Sequence, residues 1–256
     1  MKIAIIGCGN MGGAIARGLA ADAAFMSNNT IAVSNPSLGK LQAMPSIVAT
    51  TTSNSEVVAD ADIVMIAVKP WLVDRVASEI NQHLKSDAII VSIAAGVPFS
   101  HLQELMPGKT LFRVIPNTAI AIGESMTAVA HNNASVEQQT AIIAIFDRLG
   151  KAVMVEERLM GAATALGSCG TAYALRYIRA AMEAGVELGL YPSQAQSIVA
   201  QTVKGAACLL IEGGNHPEQE IDKVTTPGGI TIKGLNRMEA LGFSSAVIEG
   251  IKASAK

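Results

Sequence analysis

The sequence predicts an α/β domain with a doubly wound sheet, followed by an all-α domain, and three observations carry that prediction. Short Val- and Ile-rich runs alternate with helix-patterned stretches as far as Val155. The first run leads into Gly7-Cys8-Gly9-Asn10-Met11-Gly12, a G-x-G-x-x-G string that opens a helical pattern. From Glu156 onward only helical patterns occur. Parallel strands buried on both faces read as continuous apolar runs, so the alternation points to βαβ units and a Rossmann-type sheet. A switch from alternating elements to helices alone marks a second domain. The expected division is 1–153 for the sheet domain and 154–256 for the helical domain.

The expected strands, in order, are KIAII (2–6), TIAVS (30–34), DIVMIAV (62–68), AIIVSI (88–93), TLFRVI (110–115) and SMTAVA (125–130). In the second half, Gly189-Leu190-Tyr191-Pro192 and Gly213-Gly214-Asn215-His216-Pro217 interrupt the helices. The helix Thr171 to Leu188 sets Arg179, Glu183 and Glu187 at i, i+4 spacing and is apolar or small over the rest of its circumference, which calls for burial on several sides. The next helix opens with Ser193-Gln194-Ala195-Gln196, a capping-box pattern, and runs to about Ile211. So many apolar faces in a short helical segment are most simply covered by a partner subunit, which predicts a homodimer or a higher homo-oligomer.

Near the end of the chain a further helix is introduced by TTPGGITIKGLNRME (225–239). Inside a helix each Gly costs about 1 kcal/mol and a Pro about 3 kcal/mol relative to Ala, so Pro227-Gly228-Gly229 belongs at its start. Ordinary capping chemistry there would use Thr225 or Thr226 as the cap, with Pro227 near the first helical position.

Composition narrows the partners. The 256 residues are 50% apolar and 16% charged, with 19 basic and 21 acidic side chains and a net charge of -2. That leaves no basic field for nucleic acid and no polybasic run for a lipid surface, so a small molecule is the expected ligand. Cys8, Cys169 and Cys208 are odd in number and widely spaced, without the pairing that zinc needs, which predicts no metal and a reducing, cytoplasmic setting. No apolar stretch approaches the ~18 residues of a membrane span.

The glycine string gains force from its strand-turn-helix context. Gly7 permits a tight turn, Gly9 lets the backbone approach a pyrophosphate, and Gly12 allows the helix to lie close on the strand. Asn10 and Met11 open the helix whose free N–H groups would receive the pyrophosphate. An NAD site usually places an acid after the second strand, on the ribose 2′-hydroxyl. Here no acid lies between Asp22 and Glu56, and the strand ends in Ser34-Asn35-Pro36-Ser37 with Lys40 nearby. NADPH is therefore the expected cofactor, with NADH as the alternative. Ala67-Val68-Lys69-Pro70 and Ala94-Ala95-Gly96 close two further strands, where ligands of doubly wound sheets lie, and are expected to border the cofactor.

Taken together, GCGNMGGAI, NSE (54–56), AVKP (67–70), SIAAGV (92–97), RVIPNT (113–118) and KVTTPGGITIKGLNRMEALGF (223–243) resemble pyrroline-5-carboxylate reductase, the last segment most specifically. The resemblance implies an NAD(P)H-dependent oxidoreductase that reduces the cyclic imine 1-pyrroline-5-carboxylate to L-proline. It implies an intertwined dimer whose substrate lies between cofactor and helical domain. It assigns Thr231 to catalysis, Asn54 to the cofactor, and Asn117, Glu157, Gly228, Gly229, Ile230 and Thr231 to the substrate. The chain departs from the family pattern at Gly167-Ser168-Cys169-Gly170-Thr171-Ala172, at Ala119 and at Ile230. A β-hydroxyacid dehydrogenase, whose family relies on a Lys and an Asn on the central helix, is disfavoured because Thr171 to Leu188 contains neither. A non-catalytic nucleotide sensor would have no use for the intact Pro-Gly-Gly segment and Thr231.

Overall fold

A computed structural model describes residues 1–255, which divide into two compact units, Met1–Ser168 and the chain from Cys169 onward. The first unit is built on eight strands: β1 (Lys2–Ile6), β2 (Thr30–Ser34), β3 (Ala49–Thr51), β4 (Ile63–Ile66), β5 (Ile89–Ser92), β6 (Thr110–Ile115), β7 (Ser125–Asn132) and β8 (Gly150–Met154). Their order in the sheet is β3-β2-β1-β4-β5-β6-β7-β8. Every neighbouring pair is parallel except β6 and β7.

The order reverses direction between β1 and β4, where doubly wound sheets open a crevice for ligands. Alternation along β1 feeds both faces: Ile3 and Ile5 pack with Ile15, Leu19 and Phe112 on one side. Ala4 and Ile6 pack with Ile66, Ile80 and Leu102 on the other.

Six strands fall where the apolar runs lie, with DIVMIAV shortened to Ile63–Ile66 and SMTAVA lengthened to Asn132. Two strands carry no such run. β3 is three residues, ATT, at the exposed edge, and β8 reads GKAVM, with only Ala152 buried. The sheet ends at Met154, where the second domain was expected to begin. The packing division lies later, because helix Met160–Thr164 buries Met160 in the layer of Ile6 and Ile66.

The second unit comprises helices Gly170–Glu187, Pro192–Gly213, Pro217–Val224, Ile230–Ala240 and Phe243–Ala253. Among its described residues Ala195 alone is buried. The apolar circumference of Thr171 to Leu188 is covered only in part, with Ile178, Ala181, Met182 and Gly185 half-buried, while Leu175, Leu188, Ile211, Ile230 and Leu241 are exposed. The expected cap at Ser193 is displaced. Pro192, which has no N–H to lose, takes the first helical position, so Tyr191 becomes the cap and its N–H donates to Gln194 Oε1 at 3.1 Å.

Helices Val73–Ile80 and Phe99–Leu105 are tied at the surface by His101, whose Nε2 lies 2.8 Å from Asp74 Oδ1, with Glu104 on its other nitrogen side at 3.7 Å. The hydrogen bond to Asp74 holds the imidazole pKa above its ordinary value. A raised folded pKa stabilises fully below the unfolded value of 6.5 and is lost as pH rises through the folded one. The melting-temperature difference between the native chain and His101→Ala is therefore expected to be largest on the acid side of 6.5 and to vanish in alkaline buffer, as thermal melts across pH would measure.

Candidate active site

The turn between β1 and helix Asn10–Ala21 is shaped by two steric demands. Gly7 has φ +103°, and a Cβ there would sit 2.5 Å from the Ala67 carbonyl oxygen at the end of β4. A Cβ on Gly12 would sit 2.1 Å from Gly7 O and 2.8 Å from Ala67 Cβ. Gly9 is different: it caps the helix in extended conformation and a Cβ on it would meet nothing within 4 Å. That open space before a twelve-residue helix with no acidic residue in its first turn is what a pyrophosphate requires. The roles expected of Gly7, Gly9 and Gly12 thus separate physically into two packing glycines and one that leaves room.

Because β2, β1, β4 and β5 are neighbours, the fold brings the expected cofactor residues to one edge of the sheet. Ser34 and Asn35, at the end of β2, are buried and their side chains are engaged. Ser34 Oγ donates to Asn54 Oδ1 at 2.8 Å, and Asn54 Nδ2 donates to Glu79 Oε2 at 2.6 Å. The Asn54 amide, then Arg75, holds the Glu79 carboxyl below the usual carboxylate range. Asn35 Oδ1 accepts from Cys8 N–H at 3.1 Å and its Nδ2 donates to Ser37 O at 3.2 Å, tying the glycine turn to the turn after β2. These side chains build the wall and leave Pro36 and Lys40 as its exposed surface. Beyond β4, Val68 lies against Gly7, Lys69 is exposed, and Pro70 opens a 3-10 turn. Ala94, Ala95 and Gly96 form the turn after β5, with Gly96 at φ +79°.

Asn117 and Glu157, expected at the substrate, are committed within the first unit. Asn117 is buried, accepts from Ala119 N–H at 2.9 Å and donates through Nδ2 to Gly167 O at 3.0 Å. Ser168 Oγ adds a bond to Pro116 O at 3.0 Å, so the departing segment from Gly167 is a π-helical turn, Ala165–Cys169, pinned to Pro116 and Asn117. Glu157 Oε1 accepts from Arg113 Nη1 and from Phe99 N–H, both at 2.7 Å. Arg113 was not singled out from the sequence. Its signal was an arginine inside the otherwise apolar run TLFRVI.

In the second unit the Pro-Gly-Gly segment is a turn followed by a helix. Gly229 N–H donates to Thr226 O at 2.9 Å across Pro227 and Gly228, and Gly228 has φ +73°. Proline followed by a positive-φ glycine is the type II turn pattern. A Cβ on Gly229 would sit 2.6 Å from Thr226 Oγ1. The capping expectation is corrected here: Gly229, not a threonine, caps helix Ile230–Ala240, and it does so without a side-chain bond. Thr225 Oγ1 instead donates back to Ile221 O and Asp222 O, and the turn lifts Pro227 out of the helix. The first N–H groups of the helix are left uncapped, no acid stands in its first turn, and Thr231 is exposed beside them.

Comparison with known proteins matches both units. The family described as pyrroline-5-carboxylate reductase dimerisation matches residues 157–256, and that described as NADP oxidoreductase, coenzyme F420-dependent, matches residues 2–96. Pyrroline-5-carboxylate reductase 2 of Dictyostelium discoideum is 39% identical, over 100% of this chain and 91% of its own length. Pyrroline-5-carboxylate reductase 1 of the same organism is 40% identical over 98% of this chain, which spans about half of that longer relative, 48%. The crystal structure of Plasmodium falciparum pyrroline carboxylate reductase with NADP bound superposes with a TM-score of 0.86 at 28% identity, covering 100% of this chain and 95% of that one.

Proposed function

Because the chain belongs to the pyrroline-5-carboxylate reductase family, we propose that it reduces 1-pyrroline-5-carboxylate to L-proline with NADPH, the last step of proline biosynthesis. The observation that carries this reading is the presence, in one chain, of a glycine turn with space at Gly9 and an uncapped helix start at Gly229. The first fits a dinucleotide pyrophosphate and the second fits a carboxylate.

When bound, the dinucleotide supplies the hydride that adds to the imine carbon, and the protein supplies orientation and electrostatics. The pyrophosphate would rest on the N–H groups at Gly9, Asn10 and Met11, in a turn kept tight by Gly7 and Gly12, with the turns at Ala67 to Pro70 and Ala94 to Gly96 as its further border. The N–H groups around Gly228, Gly229, Ile230 and Thr231 hold the substrate carboxylate. The Thr231 hydroxyl hydrogen-bonds the imine nitrogen; an unperturbed hydroxyl is too weak an acid to dominate proton transfer, so its work is orientation.

The many exposed large apolar side chains of the helical unit, Leu188, Ile211, Ile230 and Leu241 among them, support a homodimer, since a partner would cover them. Three free cysteines support a reducing, cytoplasmic location. No helix among the described residues is long and apolar enough to cross a membrane.

The purified protein, with a mass in solution of at least two chains, is expected to oxidise NADPH when the imine is added. Thr231→Ala should lower kcat on the order of tenfold, the worth of one hydrogen bond of about 1.4 kcal/mol, with NADPH affinity unchanged. No turnover of the imine with either dinucleotide would end the reductase reading. A matching loss of NADPH affinity would remove Thr231 from the substrate.

A further inference from the structure

In the turn after β2, Ser34, Asn35 and Asn54 are spent on one another and on neighbouring groups, which leaves Ser37 and Lys40 as the exposed polar groups there. The fold supplies a further cation from elsewhere. Among the described residues of the first unit, the side chains of Arg17, Lys40 and Lys69 alone, of all lysines and arginines, make no ion pair or hydrogen bond. Lys40 and Lys69 follow the carboxyl ends of β2 and β4, and Arg17 lies on the helix that leaves the glycine turn.

Arg17 lies one helical turn beyond Gly13, and helical side chains fold back over the preceding turn. Its Nη1 is 3.2 Å from the point where a Cβ on Gly13 would be, and Cys8 Sγ is 3.5 Å from that same point. The missing side chain at Gly13 is therefore the space in which the guanidinium reaches the glycine turn. Cys8 Sγ in turn lies 3.5 Å from Lys40 O, so the Lys40 segment and the Arg17 guanidinium both approach Cys8. The Cys8 thiol, raised by burial, is pulled down by Arg17 and then by Lys40, which agrees with both charges facing it. Competing anions are occupied: Glu79 by Asn54 and Arg75, and Glu56 by Thr51. A dinucleotide whose pyrophosphate rests on the glycine turn carries its adenosine 2′ position toward the end of β2.

Resting on the NADPH reading above, we propose that Arg17, with Lys40 beside it, recognises the 2′-phosphate and sets the preference for NADPH over NADH. A charge-assisted bond to a phosphate falls on the phosphorylated cofactor only, so removing it changes one affinity and not the other.

The test is direct titration of NADPH and NADH, followed by nicotinamide fluorescence, into the native protein, Arg17→Gln, Arg17→Lys and Lys40→Gln, each checked for native circular dichroism. Arg17→Gln is expected to weaken NADPH on the order of tenfold and to leave NADH unchanged. Arg17→Lys should recover part of the loss, and Lys40→Gln should give a smaller loss of the same sign. Added salt should weaken NADPH more than NADH in the native protein, and that difference should shrink in Arg17→Gln. Equal loss of both dinucleotides would put Arg17 on the pyrophosphate and overturn the proposal, as would no loss of either. A native protein that binds neither dinucleotide would overturn the reductase reading itself, a result distinct from binding without discrimination.

Discussion

Replacing Gly12 with alanine is expected to abolish dinucleotide binding and to destabilise the first unit by about 3 kcal/mol, the upper part of the usual range for overpacking. The same replacement at Gly9 is expected to abolish binding in a protein of native stability. The contrast follows from what each new methyl group would meet. At Gly12 it would stand 2.1 Å from Gly7 O and 2.8 Å from Ala67 Cβ, and neither is the free end of a flexible side chain. Helix Asn10–Ala21 must then move off β1 and β4, carrying with it the N–H groups proposed to receive the phosphates. At Gly9 the methyl group meets no protein atom within 4 Å and occupies the approach to the pyrophosphate instead. For a chain of this size 1 kcal/mol moves the melting temperature by about 2–4 °C, so thermal melts separate the two variants and NADPH titration compares their binding. Native affinity in Gly9→Ala would take the pyrophosphate off this turn. An unchanged melting temperature in Gly12→Ala would show that the turn yields.

The sheet was legible because strands buried on both faces write themselves as largely apolar runs, and the six such runs are six of the eight strands. β3 and β8 escaped because edge strands need no such run, and ATT or GKAVM reads equally well as a loop. Around the site, residue types were legible and their engagements were not. Asn35, Asn117 and Glu157 carry the chemistry of ligand contacts, yet their partners are Cys8, Ala119, Gly167, Arg113 and Phe99, remote from them in sequence or set by a turn. Arg17 escaped for a related reason. An arginine for the 2′-phosphate is sought next to the second strand, whereas the one proposed above lies along the first helix, over Gly13. At Thr226–Gly229 the capping threonine lost to turn chemistry, because a proline followed by a positive-φ glycine closes on Gly229 before the helix begins.

Glu157→Ala is expected to cost about 2 to 3 kcal/mol of stability and to raise KM for NADPH more than it lowers kcat. The Arg113 side chain is 11% exposed, its guanidinium lies 5.9 Å from the Phe99 ring centre, and Glu157 Oε1 is its anionic partner at 2.7 Å. The same oxygen receives the Phe99 N–H at the start of helix Phe99–Leu105, just past the turn that carries Ala94, Ala95 and Gly96. Truncation therefore strands a buried cation and frees a helix start together, and it loosens the turn proposed to border the cofactor. The cost stays below the largest values for broken buried pairs because 39% of the Glu157 side chain is exposed and water can replace part of the lost partner. Replacing both residues, Arg113→Met with Glu157→Ala, removes the stranded charge, so denaturant unfolding should find the double variant more stable than Glu157→Ala alone. If Glu157→Ala unfolds at the native denaturant concentration, Arg113 has found another acceptor and the link between this pair and the cofactor turn does not exist. If stability falls but KM for NADPH does not rise, the pair holds the fold alone and the Ala94 to Gly96 turn is set by the sheet.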